Sequence, residues 1–217
     1  MKKLVFMLFA IAFIGFFGCE TEADLLFTTD GMEFFIERGE YWQGEMKVFI
    51  FPVKKYPQFA AWIEDSQGKY ISTLIVTDSS AKNKWTSAPK EGRSEALPVW
   101  SHKRQYNTDI VSTATPRSAV GIRMNNSSLI NEQEYNIYLE INHSYDYNNF
   151  WTENNSGVNG QPSLIYHANF IAGTQERVYL TPVGHGSVDG KNGNIVYELG
   201  SFTTALKIVK ETYINIK

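Results

Sequence analysis

The sequence predicts an all-β fold, an antiparallel β-sandwich, on three observations. Short runs rich in β-branched and aromatic residues recur along the chain. Turn dipeptides separate them: Asp30-Gly31, Asn159-Gly160, Asp189-Gly190 and Asn192-Gly193. Helical periodicity is scarce, and no repeat of about 20–50 residues marks a solenoid or propeller. About eight short strands with turn-rich joints form two facing sheets more readily than a barrel or an α/β sheet.

Residues 1–18 stand outside that fold. Met1-Lys2-Lys3 is a basic start, Leu4 to Phe17 is apolar, and Gly18 is the small residue before a cut: a secretory signal. At 14 residues the apolar stretch falls short of the ~20 that span a bilayer. Phe16-Phe17-Gly18-Cys19 resembles the lipobox of bacterial lipoproteins, although two Phe stand where Leu and a small residue are usual. Cys19 is the chain's single cysteine, and lipid attachment is the use that suits its place. An ordinary cleaved signal, or an uncleaved anchor, is the other reading. The expected organisation is a signal peptide over 1–18, a short tether over 19–30 and one domain over 31–217, held in the cell envelope by lipid on Cys19, in the inner or outer membrane, facing periplasm or cell surface.

Loss of residues 1–18 leaves 199 residues with 18 basic and 23 acidic side chains. That balance disfavours nucleic acid, or anionic lipid, as the main partner. No second cysteine exists for a disulfide, so packing alone must hold the domain.

Within the domain, Met32–Glu37 and Glu45–Phe51 read as strands. Ala60–Glu64 and Tyr70–Val76 flank Asp65-Ser66-Gln67-Gly68-Lys69 as a hairpin. Residues 80 to 103, with Trp85, Leu97 and Trp100 in a polar setting broken by Pro89 and Pro98, read as a long, partly helical insertion. Tyr135 to Asn142 alternates most cleanly, with Tyr135, Ile137, Leu139 and Ile141 on one side and Asn136, Glu140 and Asn142 on the other. Further strands are expected at 118–124, 163–170, 177–182 and 213–216, with a short helix in 203–210.

Several ordered phrases carry a resemblance: Ala61-Trp62-Ile63-Glu64-Asp65, Gly68-Lys69-Tyr70-Ile71-Ser72-Thr73-Leu74, Leu97-Pro98-Val99-Trp100, Asp109-Ile110-Val111-Ser112-Thr113-Ala114-Thr115-Pro116 and Gly160-Gln161-Pro162-Ser163-Leu164-Ile165-Tyr166. From about residue 45 onward the chain resembles the predicted periplasmic proteins of domain-of-unknown-function family 2271. The resemblance implies an immunoglobulin-like sandwich, similar in shape to the β domain of the flagellar hook-capping protein. It also implies companionship with exported flavin and redox systems, and no enzymatic activity.

Four sets of residues are candidates for function. Asp109 to Thr115 resembles the acceptor motif for covalent FMN on exported proteins, with Thr115 as attachment site and Asp109 as a recognition residue. Thr113 occupies the motif's glycine, and a Ser/Thr turn explains the same residues. His143, His185 and Asp189 are the candidate metal ligands, none in a close His pair, so no metal is expected. Tyr145, Asp146, Tyr147 and Trp151 lie in a run of four rings and three polar groups suited to a saccharide platform, or to capping the sandwich's end. Cys19 completes the set. The expected function is a non-enzymatic, envelope-anchored binding or accessory module without cofactor, its partner an unidentified protein or glycan. A covalent FMN carrier and a carbohydrate-binding lipoprotein are the alternatives.

Overall fold

A computed structural model describes residues 24–25, 31–48, 51–85, 90–104, 112–114, 119–125 and 128–216. Cys19, Asp109 and Thr115 lie outside these residues. Among the described residues no helix is long and apolar enough to cross a membrane.

Thirteen strands among the described residues form two main sheets and one separate ribbon. The first sheet takes β1 (Asp24–Leu25), β2 (Gly31–Arg38), β8 (Val120–Asn125), β11 (Arg177–Tyr179) and β13 (Val209–Asn215) in the order β1-β8-β2-β13-β11. The second takes β5 (Gln58–Asp65), β6 (Tyr70–Thr77), β7 (Ser112–Thr113), β9 (Glu134–Asn142), β10 (Leu164–Ile171) and β12 (Thr181–His185) in the order β12-β10-β9-β5-β6-β7. Pairing is antiparallel except for β1 with β8 and β7 with β6. The ribbon is β3 (Gly44–Val48) with β4 (Phe51–Lys55), and no third strand joins it among the described residues.

The two sheets face each other across one core. Met32, Phe34 and Ile36 of β2, Val120 and Ile122 of β8 and Ile214 of β13 meet Phe59, Ala61 and Ile63 of β5 and Tyr135, Ile137, Leu139 and Ile141 of β9. The alternation of β9 therefore points its apolar face inward, as its sequence predicts. The far half of its polar face, however, is not solvated: Glu140 and Asn142 are fully buried, while Asn136 is half-buried. The insertion covers that side. Leu97, with Val99 and Trp100 of α2 (Pro98–Lys103), packs on Ala60, Trp62, Tyr70, Val76 and Ile165, so the middle of the six-stranded sheet is buried on both faces. A strand buried on both sides needs no alternation, which explains the near-continuous apolar run of β5.

Three expectations change. Glu45–Phe51 is not one strand: the chain folds back between Val48 and Phe51 to make the β3–β4 ribbon. Residues 177–182 divide between β11 and β12, which belong to different sheets. Pro98 begins a helix rather than breaking one, because the first helical position needs no backbone N–H donor. A smaller difference lies in 203–210, where the helix is a 3₁₀ turn, Ala205–Lys207.

Candidate ligand-binding face

One end of the sandwich carries most of its irregular chain. There β2 leaves at Arg38, β5 begins at Gln58, β9 ends at Asn142 and β13 begins at Val209. The connection from His143 to Ser163 is held in place by its own backbone. Tyr145 adopts φ +60°, and its N–H donates to the Val158 carbonyl at 2.7 Å. The Gln161 N–H donates to the Asp146 carbonyl at 2.9 Å. Gly160 has φ +70°, and a Cβ there would lie 2.5 Å from the Asp146 carbonyl carbon, so this crossing of chain requires glycine. Asn148 Oδ1 accepts the N–H groups of Phe150 and Trp151, closing a turn that leads through α3 (Glu153–Ser156).

Side chains lock this loop to the segment before β13. Asp146 accepts hydrogen bonds from Thr204 Oγ1 at 2.5 Å and Gln161 Nε2 at 2.8 Å. Burial raises its carboxyl pKa above the ordinary value, partly offset by the Thr204 bond. Gln161 Oε1 in turn accepts the Thr203 N–H at 2.7 Å. Arg93 of the insertion reaches the same end, donating to Ser144 Oγ at 2.7 Å and Asn159 Oδ1 at 2.6 Å.

The four predicted platform residues do not form one surface. Trp151 is 9% exposed: it packs with Phe202 and His185 and donates its indole N–H to Ser201 Oγ at 3.1 Å. Asp146 points into the loop's own network. Tyr145 and Tyr147 do stay exposed, edge to face at 6.4 Å, and the Tyr147 hydroxyl donates to the Gly157 carbonyl. The most open ring of the loop is Phe150, 59% exposed, which the sequence reading places in the aromatic run but not among the platform residues. It stands at an open groove of about 540 Å³, lined by Asn148, Asn149, Phe150, Glu198, Gly200, Ser201 and Thr203. Tyr197, the residue before Glu198, is 76% exposed.

A second cleft of about 250 Å³ separates the ribbon's base from Tyr145. His143 Nε2 accepts the Gly44 N–H at 3.1 Å there. Burial, then the nearby Lys55 charge, lowers the His143 pKa to about 4. Burial also lowers Lys55 to about 8, although Asp146 opposes that shift, and its ammonium donates to the Ser144 carbonyl. His143 is thus a neutral hydrogen-bond acceptor. His185 Nδ1 bonds the Gly186 carbonyl at 2.8 Å, and Asp189 pairs with Lys191 at 2.9 Å on the surface. Among the described residues no three His, Cys, Asp or Glu side chains gather as a metal site.

On the outer face of the six-stranded sheet, Glu140 accepts from the backbone N–H groups of Val99 and Trp100, at 3.2 and 2.7 Å, and from Ser163 Oγ at 2.6 Å. Burial raises its pKa to about 7 against the pull of those three donors. It ties the insertion to β9 by satisfying the first N–H groups of α2. Nothing in its local sequence reveals that role, because its partners are more than 20 residues away.

Fold and site together define a two-sheet β-sandwich whose loops at one end present rings above a polar groove. Compared with protein-family models, curated proteins and solved structures, the chain matches none of them. The resemblance to family 2271 therefore rests on the sequence phrases alone.

Proposed function

We propose that this chain is an envelope-anchored, non-enzymatic binding module that takes a hydroxyl-rich ligand, a glycan, in the Phe150 groove, with lipid on Cys19 as the anchor. The observation that carries the reading is an exposed ring fixed on a rigid loop beside hydroxyl, amide and carboxylate groups. A flat apolar face covers the C–H face of a sugar, while Asn149, Glu198, Ser201 and Thr203 offer partners for its hydroxyls. The loop is ordered by its buried polar network before any ligand arrives, which lowers the entropy cost of binding. Glycoside hydrolysis needs two facing carboxylates, and Glu198 is the one carboxylate among the described lining residues.

Titration with a panel of envelope oligosaccharides tests this. The Phe150 ring lies 4.9 Å from that of Trp151, so occupancy of the groove should change Trp fluorescence. Phe150→Ala should weaken binding at least ~10-fold, the loss of about 1.4 kcal/mol of ring contact. A panel that leaves the fluorescence unchanged, or a Phe150→Ala variant that binds as well as the parent, overturns the proposal.

A further inference from the structure

The floor of the Phe150 groove is built around Asn148, whose side chain fills all its hydrogen-bonding positions there. Its Oδ1 accepts the N–H groups of Phe150 and Trp151. Its Nδ2 donates to the Ser201 carbonyl at 2.9 Å and to Thr203 Oγ1 at 3.2 Å. One wall, the loop that carries Phe150, is thereby stapled to the other, the segment from Val196 to Thr203.

That second wall is braced from its own side as well. Val196 exchanges both backbone hydrogen bonds with His185, each at 2.9 Å. The Val196 carbonyl also accepts the Glu198 N–H at 2.9 Å, which turns the chain tightly about Tyr197. A further turn brings the Phe202 N–H to the Leu199 carbonyl at 3.0 Å. Glu198 therefore meets the groove on a fixed backbone, next to the exposed ring of Tyr197 and in a cleft it shares with the exposed ring of Phe150.

The walls carry charge of one sign. Residues 143–163 hold Asp146 and Glu153, residues 192–204 hold Glu198, and neither stretch contains a lysine or arginine. Asp146 is taken up by Thr204 and Gln161. Among the described residues no ion pair or side-chain hydrogen bond engages the Glu198 carboxylate, so it is the charge the groove offers to a ligand.

A carboxylate placed beside exposed rings separates sugars by charge. From a neutral sugar it accepts hydroxyl hydrogen bonds that water supplies almost as well. From an ammonium it accepts a charge-assisted hydrogen bond, roughly twice as strong as a neutral one. The same ammonium is drawn to the faces of Phe150 and Tyr197. A uronic acid is repelled.

We infer that the Phe150 groove selects saccharides that carry free amino groups, and that Glu198 determines this specificity. Selectivity of this kind presupposes the glycan reading of the groove and narrows it to one class of sugar.

The test titrates the full chain with a tetramer of glucosamine, its N-acetylated counterpart and a tetramer of galacturonate, with Trp fluorescence as readout. The buffer is held at about pH 5.5 and low salt, so that surface charge stays unscreened. The parent should bind the glucosamine tetramer at least ~10-fold more tightly than the N-acetylated one, and the galacturonate tetramer least. Glu198→Gln should bring the first two within about 2-fold of each other and leave the affinity for the N-acetylated tetramer unchanged. Glu132→Gln removes an exposed acid just before β9 begins, at the opposite end of that strand from the groove, and should keep the full preference. Equal loss of preference in the two variants assigns it to the chain's overall acidity and overturns the inference. Parent binding of either comparison sugar as tight as that of the glucosamine tetramer overturns it too, and leaves the glycan reading standing. A Phe150→Ala variant that keeps both affinity and preference refutes the groove itself.

Discussion

Two buried titratable groups set opposite pH responses. Glu140 has an ordinary pKa of 4.5 and one of about 7 in the fold. Between those values the folded chain holds a proton that the unfolded chain has released, so stability falls as pH rises. His143 moves from 6.5 to about 4, and there the unfolded chain holds the extra proton, so stability rises with pH. Each slope approaches ~1.4 kcal/mol per pH unit, and between 4.5 and 6.5 they oppose. Asp146, also raised by burial, adds to the falling side. Glu140→Gln should leave a rising limb and cost about 1–3 kcal/mol, because its amide NH2 must face the N–H of either Val99 or Trp100. His143→Gln, which can still accept from Gly44, should leave a falling limb. Urea midpoints at pH 4.5, 5.5 and 6.5 separate these, and two variants with one shared pH curve would refute the assignment. Neither behaviour is legible in the sequence, where Glu140 sits on the polar side of an alternating strand and His143 in a loop.

Among elements, the loop from His143 to Ser163 depends most on one backbone crossing. Gly160→Ala combines a positive φ with a clash against the Asp146 backbone. It should lower stability by more than the ~1 kcal/mol of an ordinary glycine substitution, with loss of ligand response. A Gly160→Ala chain with unchanged urea midpoint would contradict the geometry. Local signals serve the strands well: the alternation of β9 and the Asp65 turn, whose Oδ1 accepts the N–H groups of Gln67 and Lys69, are written in adjacent residues. The β3–β4 ribbon is not readable in that way, since the residues between its strands, Phe49-Ile50, lack the Gly or Asn that two-residue turns favour. The platform breaks up for another reason. Asp146 and Trp151 are drawn inward by Thr204, Gln161 and Ser201, partners 15 to 58 positions away.

For the whole molecule, apolar residues divide into those that hold the fold and those that do not. Leu139, fully buried between the sheets, should cost about 2–5 kcal/mol as Leu139→Ala. Val53→Ser, at an exposed position, should move stability by no more than about 0.5 kcal/mol. Thermal unfolding of the two variants side by side checks the contrast, and a large loss for Val53→Ser would mean that the ribbon belongs to the core. The insertion shows the same division from the other side. Its Trp100 donates to Thr73 at 2.8 Å and seals the outer face of a sheet whose sequence reads as half polar.

If lipid on Cys19 anchors the chain as proposed, the pairing of the two-residue strand β1 sets where the tether meets the domain. While Asp24 and Leu25 pair with β8, the leash from Cys19 is five residues long and leaves beside Ile36. Once they let go, the leash lengthens to twelve residues, up to about 43 Å, and departs from Gly31 at the far end of β2. Five positions of that strand, from Ile36 back to Gly31, then separate the two points of attachment. A latch of two residues would thus choose between a domain pressed groove-down on its membrane and one free to turn that groove outward.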